Sequence, residues 1–232
     1  MKAIILAAGR GERMRPLTDV CPKPLLAVHG RPLIEWHVEA LAAGGVREIV
    51  VNTAWLEAQI VDTLGDGRRF GVDIAYSMEG RDHGGALETA GGIAKALPLL
   101  GDAFWVVSAD VFAPDFRFDP AVAGRFAAGD LLGRLWLVAN PDFHPRGDFG
   151  LGADGLGLAD SAGPDGQRWT YANIALLRAA MFDGIAAGEH APLAPLLYDG
   201  MRRRRIAAER YDGRWENVGT PAQLAALNAA PR

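Results

Sequence analysis

The apolar run Ala3-Ile4-Ile5-Leu6 leads at once into Ala7-Ala8-Gly9-Arg10-Gly11-Glu12-Arg13-Met14-Arg15. Small residues after a buried strand let the backbone turn sharply with its N–H groups free to face an anion. Arg13 and Arg15 add two guanidinium groups close together, and guanidinium matches phosphate in fork geometry, so the spacing points to a polyphosphate. The alternative is an ordinary strand-to-helix turn. Further on, Lys23 stands between Pro22 and Pro24, which brace the backbone around it. Such a lysine is either aimed at the same anion or a plain surface lysine.

Asp110 follows the apolar run Phe104–Ser108. Ligands of open α/β sheets bind outside the carboxyl ends of the strands, which makes Asp110 a candidate metal ligand; its other reading is a cap on the turn after the strand. Asp148 lies between small residues in Arg146-Gly147-Asp148-Phe149-Gly150, a polar turn that presents an acid. Asn173 interrupts a mostly apolar run, where an amide is either hydrogen-bonded in the core or turned to a pocket.

Two familiar glycine motifs fail here. The dinucleotide fingerprint needs a third glycine where Met14 stands, and an acid for the ribose where the next strand ends in Asn52. The P-loop needs a glycine-lysine-hydroxyl sequence, and none follows.

The elements that must hold these residues alternate. Strands are expected at Ala3–Leu6, Glu48–Asn52, Val72–Tyr76, Phe104–Ser108, Leu131–Ala139 and Trp169–Leu177, with a short one at Leu25–Val28 before a turn at His29–Pro32. Helices are expected at Leu33–Ala43, Trp55–Leu64, from Thr89, at Pro192–Met201 and at the end of the chain to about Asn228. Strand–helix alternation predicts an α/β fold: a Rossmann-like, mixed and mostly parallel sheet flanked by helices, in one domain spanning 1–232. Glycine-rich 147–167 reads as loop, and Arg202–Arg205 as a solvated helix end favoured by the helix dipole.

With 232 residues, half of them hydrophobic, the chain has room for one sizeable core. A net charge of −4 argues against a general nucleic-acid binder, and no apolar run is long enough to span a membrane. One cysteine excludes an internal disulfide, and Met1-Lys2 runs straight into a strand without a signal peptide, so a cytoplasmic location is expected.

Taken together and in this order, the glycine loop, Pro22-Lys23-Pro24-Leu25, Leu87-Glu88-Thr89-Ala90-Gly91-Gly92, Ser108-Ala109-Asp110 and Trp215-Glu216-Asn217-Val218-Gly219-Thr220 resemble the sugar-1-phosphate nucleotidyltransferases. The resemblance covers residues 1 to about 228, without a C-terminal β-helix, and implies the nucleotide-diphospho-sugar transferase fold. Its nucleotide-binding part would be about 1–110 and its sugar-binding part about 111–228. It implies nucleotide contacts at Ala8, Gly9, Gly11, Glu12, Arg13, Lys23, Asn52, Gly91 and Ser108, with Glu79 near the uridine end, and catalytic roles for Arg13, Lys23 and Asp110. Arg15 would support the loop or the leaving pyrophosphate. It further implies sugar contacts at Glu88, Asp148 and Asn173, and Mg²⁺ held by Asp110 and Asn217. The partners implied are a nucleoside triphosphate and a sugar 1-phosphate. Asn52-Thr53-Ala54-Trp55, Leu87-Glu88-Thr89 and Gly147-Asp148-Phe149 resemble the uridylyltransferase branch that serves bacterial cell-wall recycling, which makes UTP the expected nucleotide. Other expectations are the same reaction on glucose, mannose or heptose 1-phosphate, or a non-catalytic sugar-nucleotide sensor.

Three departures stand out. Asn217 replaces a second metal-binding aspartate common in the family, Ala90 replaces a glycine, and Gly80–Ala86 looks longer than its counterpart.

Overall fold

The computed structural model describes residues 1–230. Seven strands form one sheet: β1 (Lys2–Ala7), β2 (Glu48–Thr53), β3 (Asp73–Met78), β4 (Ala103–Ser108), β5 (Gly133–Val138), β6 (Thr170–Arg178) and β7 (Ile206–Arg210). Their spatial order is β7-β5-β6-β4-β1-β2-β3. The strands run parallel except β6, which is antiparallel to both β4 and β5. Helices α1 (Leu33–Ala43), α2 (Glu57–Leu64), α3 (Glu88–Ala96), α4 (Pro120–Ala128), α5 (Ala194–Arg202) and α6 (Pro221–Ala229) complete the main framework.

The continuous apolar runs of β1, β2 and β4 follow from burial on both faces. Ala3, Ile5, Val51, Trp105 and Val107 enter one core, whereas Ile4, Val50, Phe104 and Val106 enter the other. All six parallel strands therefore end at the same edge of the sheet. The glycine loop leaves β1 there, and Asp110 follows β4 at that edge. Because β6 runs the opposite way, it is its beginning, Thr170–Asn173, that arrives beside them; Ile174 pairs with Val107.

Several local expectations are corrected. Leu25–Val28 is not one strand: Lys23–Leu25 forms a 3-10 turn and Ala27–Val28 pairs with Arg31–Pro32. His29 and Gly30, both at positive φ, make the two-residue turn between them, as a tight hairpin requires. Helix α2 begins at Glu57, two residues late, because Trp55 is turned back onto the glycine loop and Leu56 adopts a left-handed conformation. The stretch Gly80–Ala86, longer than its counterpart, begins inside a short helix, Glu79–His83. Inside 147–167 a small ribbon pairs Gly150–Leu151 with Gly157–Leu158. Arg202 and Arg204 do not simply face water; they pair with Asp160 and Asp154 and tie the end of α5 to that ribbon.

Gly91 is a further correction. Its N–H, like that of Ala90, donates to the Ala191 carbonyl, and a Cβ on Gly91 would lie 2.1 Å from the Glu189 carbonyl oxygen. The close approach that demands glycine is made by the chain's own 189–191 segment, and not by a ligand. Gly91→Ala is expected to lower stability by about 2–3 kcal/mol through overpacking against backbone that cannot yield. Urea unfolding measures this; an unchanged midpoint would contradict the packing assignment.

Candidate active site

The glycine loop is held in shape by side chains outside the anion site. Gly11 adopts φ +68, a left-handed conformation that suits glycine, and a Cβ there would stand 3.0 Å from Thr18 Cγ2 and 3.3 Å from Lys23 Cβ. Thr18 donates its hydroxyl to the Gly11 carbonyl at 2.8 Å. Arg10 lies 3.8 Å from the centre of the Trp55 ring, donates to the Thr18 carbonyl and pairs with Asp19. Arg15 also pairs with Asp19 through Nε, so Arg10 and Arg15 both brace the loop. Their hydrogen bonds and charges hold the Asp19 carboxyl below its ordinary pKa, against the smaller opposing effect of burial. Arg13 is different. It is exposed, forms no ion pair among the described residues, and lines a cavity of about 260 Å³ with Gly9, Gly11, Glu12, Lys23 and Asp110.

Lys23 and Asp110 meet at the floor of this cavity. Lys23 Nζ lies 3.0 Å from Asp110 Oδ2, and the Ser108 hydroxyl donates to Asp110 Oδ1 at 2.7 Å. Burial pushes the Asp110 carboxyl up, but the charge and hydrogen bond of Lys23, the Ser108 hydroxyl and nearby His37 together outweigh it. The net effect holds Asp110 below the ordinary carboxylate range, so it is ionised near neutrality. Asn217 reaches the same place by pairing: it lies opposite Val111, and the Val218 N–H donates to the Asp110 carbonyl at 2.9 Å.

His37, on α1, supports the segment after Asp110, with Nε2 2.8 Å from the Val111 carbonyl oxygen. Burial pushes its pKa down from 6.5 to about 4, against smaller raising effects of that carbonyl and of Asp110. A neutral ring can donate to Val111. Below the unfolded value the unfolded chain binds a proton that the folded chain refuses, so stability falls as pH falls from 6.5 towards 4. The full loss attributable to this group is about 3 kcal/mol. Melting temperatures of the parent chain and His37→Gln, compared at about pH 7 and pH 5, check this; the variant's melting point should fall less on acidification, and an equal fall would remove His37 as the cause.

A second cavity begins at the shared wall of Leu6, Gly9 and Ser108, and includes Ala8, Asn52, Glu88 and Asn173. It continues through Glu88, Tyr171 and Asn173 into a third, lined also by His144, Asp148, Trp215 and Asn217. The three form one groove across the carboxyl edge of the sheet. Asn173 owes its place in it to an irregularity: the register of β6 against β5 shifts between Tyr171 and Ala175, and Asn173 adopts φ 58. Asparagine tolerates that left-handed conformation better than a β-branched residue would. The Trp215 indole N–H donates to the Ala172 carbonyl beside the bulge at 3.0 Å. Asn173 is thus partly exposed in the groove rather than satisfied in the core, and its side chain makes no hydrogen bond among the described residues.

Asp148 is fixed from several directions. Its Oδ2 accepts the Tyr171 N–H at 2.8 Å, its own N–H donates to the Trp169 carbonyl, and its Oδ1 lies 3.0 Å from His144 Nε2. Burial, with a smaller contribution from Asp148, raises the Tyr171 pKa, so its phenol stays neutral.

Glu79 lies behind the groove wall, and Asn52, which lines the groove, is tied to it. The Asn52 Oδ1 accepts the Ala7 N–H at 2.8 Å and its Nδ2 donates to Glu79 Oε1 at 2.6 Å, which fixes the amide and leaves its second N–H uncommitted among the described residues. Glu79 is fully buried and also accepts the Leu87 N–H at 2.8 Å. Burial raises its pKa against these two hydrogen bonds. The structure therefore brings Ala8, Gly9, Gly11, Glu12, Arg13, Lys23, Asn52, Ser108, Asp110, Glu88, Asp148, Asn173 and Asn217 to one groove, and leaves Gly91 outside it. Sequence reading missed Tyr171 and His144; only the four-residue spacing of His144 and Asp148 hinted at the latter.

A glycine loop after the first strand, a part-buried Lys–Asp ion pair and a groove leading from them along the sheet edge form the candidate site. The chain belongs to the nucleotidyl transferase family, whose model matches residues 2–150. It is 50% identical over 226 residues, covering 97% of this chain and 95% of the relative, to the N-acetylmuramate alpha-1-phosphate uridylyltransferase of Neisseria meningitidis. A protein of the same name from Caulobacter vibrioides is 33% identical over 97% of this chain and 94% of its own length. Within the family it falls among the sugar-1-phosphate nucleotidyltransferases. The fold matches that of a Bacillus anthracis protein described as a glucose-1-phosphate thymidylyltransferase, with TM-score 0.82 over 99% of this chain and 94% of that one at 23% identity. No helix among the described residues is long and apolar enough to cross a membrane.

Proposed function

We propose that this chain transfers the uridylyl group of UTP to N-acetylmuramate 1-phosphate, giving UDP-N-acetylmuramate and pyrophosphate. The observation that carries this is the continuous groove in which Arg13, Lys23 and Asp110 occupy one end and Asn173 and Asp148 the other. The relatives of nearly full coverage support the choice of sugar and base.

In such a reaction an oxygen of the sugar phosphate attacks the α-phosphorus of the triphosphate in line and pyrophosphate leaves. Positioning and charge neutralisation dominate the catalysis, and no covalent nucleophile is needed. The loop N–H groups from Ala8 to Gly11 and the Arg13 guanidinium hold the triphosphate. Lys23 places a cation at the α-phosphate or the incoming sugar phosphate, and its bond to Asp110 fixes its direction. Glu88, Asp148 and Asn173 face the sugar. No group of three or more His, Cys, Asp or Glu that could hold a metal occurs among the described residues. Asp110 and Asn217, carried on backbone segments that pair with each other, nevertheless supply hard oxygen donors, a set that fits Mg²⁺ bound through one or two protein oxygens plus substrate phosphates. Bound there, the ion would offset the negative charge of the phosphates.

The test is pyrophosphate release by the purified protein with Mg²⁺, each of the four nucleoside triphosphates and a panel of sugar 1-phosphates. Release that requires UTP together with N-acetylmuramate 1-phosphate is expected. Release with a different pair would replace the substrates, and none with any pair would favour a non-catalytic sensor.

A further inference from the structure

The groove distributes charge unevenly, and one side chain is left without a task in the reaction. Arg13 and Lys23 are committed to the phosphate end. At the sugar end the lining carries, among the described residues, two acids, Glu88 and Asp148, and a single basic side chain, His144. The proposed sugar differs from an ordinary N-acetylhexosamine by a lactyl ether that ends in a carboxylate. A carboxylate entering a groove that already contains Glu88 and Asp148 meets repulsion unless a cation faces it.

We infer that His144 is the residue that selects the acidic substituent of the sugar, an inference that rests on the substrate reading above. Its surroundings suit that task. Nε2 is 3.0 Å from Asp148 Oδ1, and the ring is 40% exposed, so one nitrogen is anchored while the rest of the ring stays accessible. Asp148 is an anchor that does not swing away, because Tyr171, Trp169 and Arg168 hold its side chain and backbone. The loop that carries His144 is braced in turn by Asn140, whose amide donates to the Arg168 and Pro145 carbonyls and accepts the Thr170 hydroxyl. With Nε2 turned to Asp148, Nδ1 is the ring nitrogen left for a substrate carboxylate, and imidazole can carry a proton on both nitrogens. Asp148 is the positioning residue in this pair, and His144 the one that touches the ligand.

N-acetylmuramate 1-phosphate and N-acetylglucosamine 1-phosphate differ only in the lactyl group, and so isolate the contact. The parent enzyme with UTP should prefer the muramate compound. In His144→Gln that preference should drop on the order of ten- to a hundred-fold, through KM for the sugar phosphate, as expected for losing a hydrogen bond to a charged group. His144→Lys, which returns a cation, should recover part of it. An unchanged preference in His144→Gln, or an equal loss on both sugars, would overturn the assignment. If the parent enzyme itself shows no preference, the substrate reading fails first and takes this assignment with it. Thermal melting of both variants separates a selectivity loss from a folding defect.

Discussion

Asp110→Ala will lower Mg²⁺-dependent pyrophosphate release by on the order of a thousand-fold or more, making it the most damaging single substitution in the chain. Asp110 does two things at once. It offers a carboxylate for a cation on the segment that pairs with Asn217, and it receives Lys23 Nζ at 3.0 Å, which fixes where that ammonium points. Removing it also leaves the buried Lys23 without its partner, and an unpaired buried charge is costly. Asp110→Asn, of nearly the same shape, therefore belongs beside the alanine variant. Both should melt as folded proteins, and both should lose the Mg²⁺ dependence of UTP binding measured by calorimetry. Turnover close to that of the parent in either variant would take Asp110 out of the mechanism.

Lys23→Met comes next, with an expected loss on the order of a hundred- to a thousand-fold in kcat/KM. The methionine chain fills similar space, so packing against Gly11 and Pro24 is spared while the charge is lost. Because the developing charge lies on the phosphates, most of the fall should appear in kcat rather than in KM for UTP. Lys23→Arg should rescue little. The lysine Cβ sits close beneath Gly11, and a planar fork needs room that a point-like ammonium does not. A fall confined to KM for UTP would assign Lys23 to ground-state binding instead.

Lys23 and Asp110 stand 87 residues apart in the chain and 3.0 Å apart in the fold. Gly9, Gly11 and Arg13 announce an anion cradle because local backbone freedom and guanidinium chemistry are written in consecutive residues. Lys23 and Asp110 were legible one at a time, each with a plain alternative. That they form an ion pair depends on β1 and β4 being neighbours in the sheet, and register between distant strands leaves no mark on either. Arg15 shows the converse. Its type and spacing matched a phosphate ligand, yet Asp19 one helical turn on takes its guanidinium. Gly91 likewise looked like room for a ligand and proved to be room for residues 189–191.

The amino-acid sequence by itself determined the alternation of strands and helices, the burial of the sheet on both faces, the glycine loop after the first strand and the family. These rest on interactions within short windows or on apolar runs that any buried strand must have. Only the tertiary structure decided that β6 runs against its neighbours, that its bulge turns Asn173 out of the core, and that Glu79 is buried behind the groove as the partner of Asn52. Strand direction and side-chain partnership are set by which distant segments pack together and which buried polar groups must find each other, and a linear pattern of residues does not encode that pairing locally.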